Sequence, residues 1–198
     1  MISSIQTRRS IRKYNDRPVS RQLIEDVLRA GILAPSSKNR QPWRFVVVTG
    51  QAKEDMLAAM ERGISREEEG TAAVLPGSRQ HTVGARYTVQ IMRQAPVVIC
   101  VINPLGLDLL SPATPEQRIY EMCNAQSLGA AMENMALEAD HLGLGSLWIC
   151  DTYFAYQELN DWLGAEGPLA AAMALGYADE APSERPRKPM EELIQWRN

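Results

Sequence analysis

The sequence predicts a mixed fold of helices and strands, of the α/β or α+β class. Segments with helical apolar spacing alternate with short apolar runs, no internal repeat is present, and one long helical segment carries small or apolar side chains on nearly every side. The 198 residues suit one domain, since compact domains commonly contain about 100–200 residues. Apolar residues make up 45% of the chain, which is enough to build a core.

The first elements are predicted from caps and apolar spacing. Ser20–Ala34 should be helical, because Ser20 can cap it and apolar residues recur along one face. Pro35 ends this helix. The β-branched run Phe45–Thr49 is apolar on both faces, which predicts a central strand. A second helix is expected around Lys53–Arg62.

The second half of the chain contains the longest predicted helix. A strand over Val97–Ile102 precedes it, and the helix itself runs from about Pro115 to Leu142. Because it is small or apolar nearly all round, either the core or a partner chain must cover it on several sides. Ser146–Cys150 is then a third strand, Tyr156–Leu163 a short helix and Leu169–Tyr177 a fourth strand.

The stretch Gly63–Gln94 shows little sustained periodicity before Arg86. It contains the acidic run Glu67–Glu69, which disfavours burial, and several glycines, which permit many backbone conformations. We expect a long excursion with some helix in it that serves as a lid over the active site and selects the substrate. A passive surface insertion is the alternative.

Composition excludes several classes of protein. The net charge of −3 and the pI of 5.5 argue against a dedicated nucleic-acid surface, which is normally basic. Three widely spaced cysteines and two histidines support neither a disulfide framework nor a metal site. Neither a charged leader with an apolar stretch nor a run of roughly 18 apolar residues is visible, so a reducing cytoplasm is the expected setting.

Two basic clusters stand at opposite ends of the sequence. They consist of Arg8, Arg9, Ser10 and Arg12 near the start, and Arg185, Arg187 and Lys188 near the end. Guanidinium groups present fork-shaped donors that stay charged, and several together suit a phosphate dianion. The clusters therefore either converge on one anion or are two solvated basic runs.

A polar loop follows the first predicted helix. Within it, Pro35, Ser36, Ser37, Asn39 and Gln41 precede a second proline. Amide side chains offer a donor and an acceptor together, as the edge of a heteroaromatic ring requires. An ordinary helix–strand turn would use the same residue types.

Taken together, four motifs resemble those of the FMN-dependent nitroreductase family. They are RRSIR near the start, APSSKNRQPW after the first helix, GLGSLWI after the long helix and PRKP near the end. They occur in the family's order and cover nearly the full chain. The resemblance implies an α+β fold with a central, mainly antiparallel sheet flanked by helices, and a homodimer whose long helix lies at the interface.

The resemblance also implies which residues hold FMN. Arg8, Arg9, Ser10 and Arg12 would bind the ribityl phosphate and pyrimidine end, and Arg185 and Arg187 would close on the phosphate. The other subunit would supply Pro35, Ser36, Ser37, Asn39 and Gln41. Backbone groups around Trp148, Ile149 and Cys150 would approach the isoalloxazine ring near N5. No separate catalytic side chain is expected, because the cofactor carries the chemistry.

The activity implied is transfer of electrons from NADH or NADPH to a nitroaromatic, quinone or similar conjugated acceptor by a ping-pong mechanism. The nicotinamide nucleotide would be a transient reductant, which fits the absence of a GxGxxG fingerprint. One alternative is a flavin-binding carrier or sensor without turnover. Another is a relative within the superfamily that dehalogenates, dehydrogenates or fragments flavin. A nucleic-acid or membrane partner is not expected.

Overall fold

A computed structural model describes residues 1–70 and 72–197 of the chain. Its strands are β1 (Arg44–Val48), β2 (Val97–Ile102), β3 (Gly145–Ile149) and β4 (Leu169–Gly176). Its helices are α1 (Ser3–Thr7), α2 (Arg21–Ile32), α3 (Gly50–Glu69), α4 (Thr82–Gln94), α5 (Pro115–His141), α6 (Tyr156–Leu163) and α7 (Met190–Leu193). Short 3₁₀ turns cover Ser37–Asn39, Pro76–His81 and Asp151–Ala155.

The four strands form one antiparallel sheet in the order β1-β2-β4-β3. Alternate residues of β2 enter opposite sides of the sheet, as the two-residue period of a strand requires. Val98, Cys100 and Ile102 pack with α3, α4 and α6, and Val97, Ile99 and Val101 pack with α2 and α5. The fold is therefore the predicted α+β sheet with helices on both faces.

The long helix begins and ends as the sequence predicts. Thr114 caps it, accepting a hydrogen bond from the Gln117 amide at 3.3 Å, while the Gln117 side chain accepts from the Thr114 amide at 2.8 Å. Its second half is buried against α2 and the sheet. Its first half exposes Ile119, Tyr120 and Met122 at 54%, 47% and 57%. An apolar face of α5 is thus uncovered in the single chain.

The prediction that the first strand is central was wrong. β1 pairs with β2 alone, at one edge of the sheet. Its residues are apolar on both sides because Val46 packs against one core and Phe45 against the other. Apolar residues on both sides of a strand indicate that both faces of the sheet are covered by helices. They do not indicate whether the strand has one neighbouring strand or two.

The stretch Gly63–Gln94 contains more helix than the sequence predicts. α3 continues to Glu69, and α4 starts at Thr82, which leaves only residues 70–81 between two packed helices. Gly63 allows α3 to approach the backbone of Ala155, where an added Cβ would lie 2.4 Å from the Ala155 Cα. Tertiary packing thus imposes helix on a stretch with weak apolar periodicity.

Glu67 is 1% exposed, contrary to the expectation for the acidic run. Its carboxylate accepts hydrogen bonds from Arg66 at 2.6 Å and from the amides of Val74 and Leu75 at 2.7 and 3.0 Å. The charge is buried because three donors replace water. Glu67 thereby ties residues 74 and 75 to the end of α3.

Replacing Glu67 with alanine should lower the free energy of unfolding by about 2–4 kcal/mol, because buried donors lose a charged acceptor. Urea unfolding followed by circular dichroism measures the difference. Glu69→Ala is the matched control, since Glu69 is exposed two residues away, and its effect should stay within about 0.5 kcal/mol. Equal effects in the two variants would contradict an anchoring role for the buried carboxylate.

Candidate functional site

The segment that follows α1, residues 8–15, is called here the amino-terminal arm, and it lies against β3. Ser10 forms a parallel bridge with Ser146, and the Ile11 amide donates to the Ser146 carbonyl at 3.0 Å. Glycine at position 145 permits this approach, because a Cβ there would lie 2.8 Å from the Ile11 side chain. The arm therefore sits at the edge of the sheet where β3 begins.

The segment after β4 pairs with the same arm. The Asp179 amide donates to the Lys13 carbonyl at 2.9 Å, and Glu180 accepts from the amides of Arg12 and Lys13. This pairing fixes residue 180 beside residue 12. It brings the carboxyl-terminal basic cluster to the amino-terminal one across the length of the sequence.

Six of the predicted site residues meet in one cavity of 530 Å³. They are Arg8, Arg9, Ser10, Arg12, Arg185 and Arg187, and we call this site the arginine cradle. Glu184 also lines the cradle, 3.9 Å from Arg9, and Glu133 lies 3.8 Å from Arg8 outside it. Five guanidinium groups against one carboxylate among the described lining residues leave an excess of positive charge, which suits a phosphate dianion.

A larger cavity of 780 Å³ lies along β3, α5 and the turn that follows β3. Trp148 and Cys150 line it, opposite Leu128, Gly129 and Met132 of α5. Ser146 and Trp148 are alternate residues of one strand, so they lie roughly 7 Å apart at about 3.4 Å per residue. Ser10 of the arginine cradle bridges Ser146, and Trp148 lines this cavity, so both cavities lie next to β3.

The lining of this cavity is mostly apolar, with a few polar groups. Asp108, Arg118 and Glu121 supply the charges, and Tyr153 and Tyr156 supply hydroxyl groups. The Tyr153 hydroxyl donates to the Ala170 carbonyl at 2.9 Å. A cavity of this volume and composition can hold a flat aromatic ring system.

Cys150 is exposed. Partial burial raises the pKa of its thiol, and the neighbouring Asp151 raises it further. The thiol is therefore protonated at neutral pH and is a weak nucleophile. The position of Cys150 on the cavity wall is compatible with packing against a ring. A redox role for this thiol gains no support.

The polar loop after α2 has a strained backbone. Lys38, Asn39 and Gln41 have φ of 53°, 54° and 50°, a left-handed conformation that asparagine tolerates and the other two disfavour. Hydrogen bonds hold it: the Gln41 amide donates to the Ser36 hydroxyl at 3.0 Å, and the Ser37 amide donates to Ser127 of α5 at 3.2 Å. Strain of this kind is commonest at functional sites.

The remaining predicted site residues do not join the two cavities. Ile149 is 2% exposed and belongs to the core, so only its backbone could reach a ligand. Pro35, Ser36, Ser37, Asn39 and Gln41 line neither cavity of the single chain. Asn39 and Gln41 are exposed and free to contact a second chain.

Sequence reasoning missed the wall between β2 and α5 and the aromatic residues after β3. The wall includes Leu107, Asp108 and Leu109, and the aromatic residues are Tyr153 and Tyr156. The sequence signal that could have indicated the aromatic residues is a pair of tyrosines, Tyr153 and Tyr156, shortly after the GLGSLWI motif. No group of three or more histidine, cysteine, aspartate or glutamate side chains arranged to hold a metal ion occurs in residues 1–70 and 72–197. No described helix is long and apolar enough to cross a membrane.

Comparison with known proteins gives consistent matches. Residues 5–177 match the profile described as Nitroreductase family. A protein of Archaeoglobus fulgidus named NADH dehydrogenase/NAD(P)H nitroreductase is 33% identical over 148 residues, which are 75% of this chain and 66% of that protein. The chain thus spans about two thirds of that relative's length.

Two solved structures are similar over nearly the full chain. A nitroreductase in complex with FMN from Desulfovibrio desulfuricans is 30% identical with a TM-score of 0.70, covering 99% of this chain and 95% of the other. A BluB-like flavoprotein from Clostridium difficile is 26% identical with a TM-score of 0.79, covering 99% and 98%.

Proposed function

The chain belongs to the nitroreductase family, and on that premise we propose that it is an FMN-dependent oxidoreductase. It would take electrons from NADH or NADPH and deliver them to a nitroaromatic, quinone or similar conjugated acceptor. The observation that carries the proposal is that a cradle of five arginines and a largely apolar cavity of 780 Å³ both lie next to β3. These two features match the two ends of a flavin mononucleotide.

The residues of the site fit FMN. The arginine cradle would hold the phosphate, and Trp148 and Cys150 would border the ring in the larger cavity. Arg12 would place positive charge at the pyrimidine end, where negative charge develops on reduction. When bound, FMN supplies the two-electron redox chemistry.

A homodimer would complete the site. α5 leaves Ile119, Tyr120 and Met122 uncovered, and the exposed amides of Asn39 and Gln41 have no cavity of their own chain to fill. Under two-fold symmetry the same surface of each subunit covers the other. We propose that the polar loop of one subunit reaches the pyrimidine edge of the flavin held by the other. The three free thiols fit a reducing cytoplasm.

Anaerobic reduction tests the proposed activity. The purified protein should be yellow, with about one FMN per chain; NADH or NADPH should bleach it, and a quinone or nitroaromatic should restore the colour. Reductant and acceptor must use the same cavity in turn. Steady-state lines at several NAD(P)H concentrations should therefore be parallel.

Three outcomes would contradict parts of this proposal. Bound FMN that NADH and NADPH both fail to bleach would indicate a carrier or sensor. Bleaching without recovery on adding nitroaromatics or quinones would indicate another acceptor class. Intersecting steady-state lines would indicate a separate nucleotide site.

A further inference from the structure

The segment joining β2 to α5 forms one wall of the larger cavity. Leu107, Leu109, Ser111 and Ala113 line it from this segment. Leu109 is 48% exposed, so burial contributes little to holding it in place. No residue of Gly63–Gln94 lines this cavity in the described part of the chain.

Hydrogen bonds from neighbouring elements fix the segment. The Tyr156 hydroxyl accepts from the Leu109 amide at 2.9 Å and donates to the Asp108 carboxylate at 3.1 Å. Glu121 of α5 accepts from the Leu107 amide at 3.3 Å. The segment therefore depends on polar contacts with α5 and α6 for its position.

Tyr156 is the central group among these contacts. Its side chain is buried at the start of α6, and one hydroxyl serves two successive residues of the segment. Burial raises the pKa of Tyr156, and the hydrogen bond to Asp108 raises it further, although the Leu109 amide lowers it. The hydroxyl therefore remains protonated and able to donate at neutral pH.

We propose that Leu107 and Leu109 form the wall that selects acceptors by ring size, and that Tyr156 is the positioning residue that holds this wall. This inference rests on the proposed function, since it assigns the acceptor to the larger cavity. The acceptors selected are flat, largely apolar ring systems, because apolar side chains face them from both the segment and α5. Shortening Leu109 enlarges the cavity and favours larger rings.

The first test compares two adjacent leucines. Leu109 lines the cavity, whereas Leu110 is exposed and does not, so Leu110→Ala is the matched control. The probes are 1,4-benzoquinone and 1,4-naphthoquinone. Leu109→Ala should raise the kcat/KM ratio of the larger to the smaller quinone about tenfold, the low end for apolar pocket contacts. Leu110→Ala should leave the ratio, the FMN content and the rate of bleaching by NAD(P)H within about twofold of the wild-type values.

The second test removes the Tyr156 hydroxyl with Tyr156→Phe. Exposed Tyr87 of α4 lies outside the cavity lining, so Tyr87→Phe is the control. Hydrogen exchange at the Leu109 amide should accelerate about tenfold or more in Tyr156→Phe alone, because that amide loses its acceptor. The kcat/KM ratio of the two quinones should also change in Tyr156→Phe, and most of that change should come from KM rather than from kcat.

Two measurements need no turnover and so separate this inference from the proposed function. Hydrogen exchange reports the wall directly, and the dissociation constant of naphthalene-2-carboxylate, which the enzyme cannot reduce, should change in Leu109→Ala and not in Leu110→Ala. Unchanged exchange in Tyr156→Phe, or equal effects of Leu109→Ala and Leu110→Ala, would overturn the proposal. So would a quinone ratio that responds only to substitutions in residues 72–81, which would support the lid predicted within Gly63–Gln94.

Discussion

Replacing Arg187 with alanine will weaken FMN binding about tenfold to a hundredfold, since loss of one charge-assisted contact costs roughly 1.5–3 kcal/mol. Arg8→Ala should have a similar effect. Both side chains line the arginine cradle, although the residues are separated by nearly the whole sequence. Equilibrium titration of the apoprotein with FMN, followed by flavin fluorescence, measures the change.

Riboflavin makes this experiment specific for the phosphate. It carries the same ring and ribityl chain without the phosphate, so its affinity should change by less than about twofold in either variant. Arg21→Ala is the control, because the Arg21 side chain is 92% exposed on α2, pairs with Glu25 and lies outside the cradle lining. Full FMN affinity in both cradle variants would rule out the assignment, and equal losses for riboflavin and FMN would indicate a general disturbance of the site.

Mixed dimers of two inactive variants should recover activity. Arg8→Glu damages the cradle, and Asn39→Ala damages the polar loop. If each site combines the cradle of one subunit with the loop of the other, a mixed dimer has one site with both lesions and one with neither. Random refolding of equal amounts should therefore restore roughly a quarter of wild-type turnover under two-fold symmetry.

The matched control mixes Arg8→Glu with Arg187→Glu. Both residues line the cradle of one chain, so every site in that mixed dimer carries one lesion and activity should not return. Size-exclusion chromatography with one tagged variant verifies that mixed dimers have formed. Proven mixed dimers of Arg8→Glu and Asn39→Ala without recovery would show that the site lies within one chain.

The elements with strong local signals were predicted well. Ser20 caps α2 and accepts from the Leu23 amide at 3.3 Å, and α5 occupies nearly the predicted range. Caps, prolines and apolar spacing act within a few residues, so they can be recognised without knowledge of the fold. The antiparallel arrangement of the sheet came from the resemblance to a family, since strand pairing joins residues far apart in sequence.

Errors occurred where distant contacts decide the conformation. α3 extends to Glu69 because Gly63 packs against Ala155 and because Arg66 and the amides of residues 74 and 75 satisfy the Glu67 carboxylate. No local sequence pattern predicts those distant partners. The same reason explains the edge position of β1 and the missed wall at Leu107 and Leu109, whose hydrogen-bond partners lie on α5 and α6.

The sequence alone determined the chemistry available to this protein: two clusters of permanently charged arginines, a loop of amides and hydroxyls, and a long helix without a polar face. Side-chain type sets charge and hydrogen-bonding capacity whatever the fold. Only the tertiary structure decided which of these groups meet. It joins the two arginine clusters because residues 177–180 pair with residues 12–15. It keeps the polar loop out of both cavities of the chain, because the loop's hydrogen bonds to itself and to α5 hold Asn39 and Gln41 toward the outside.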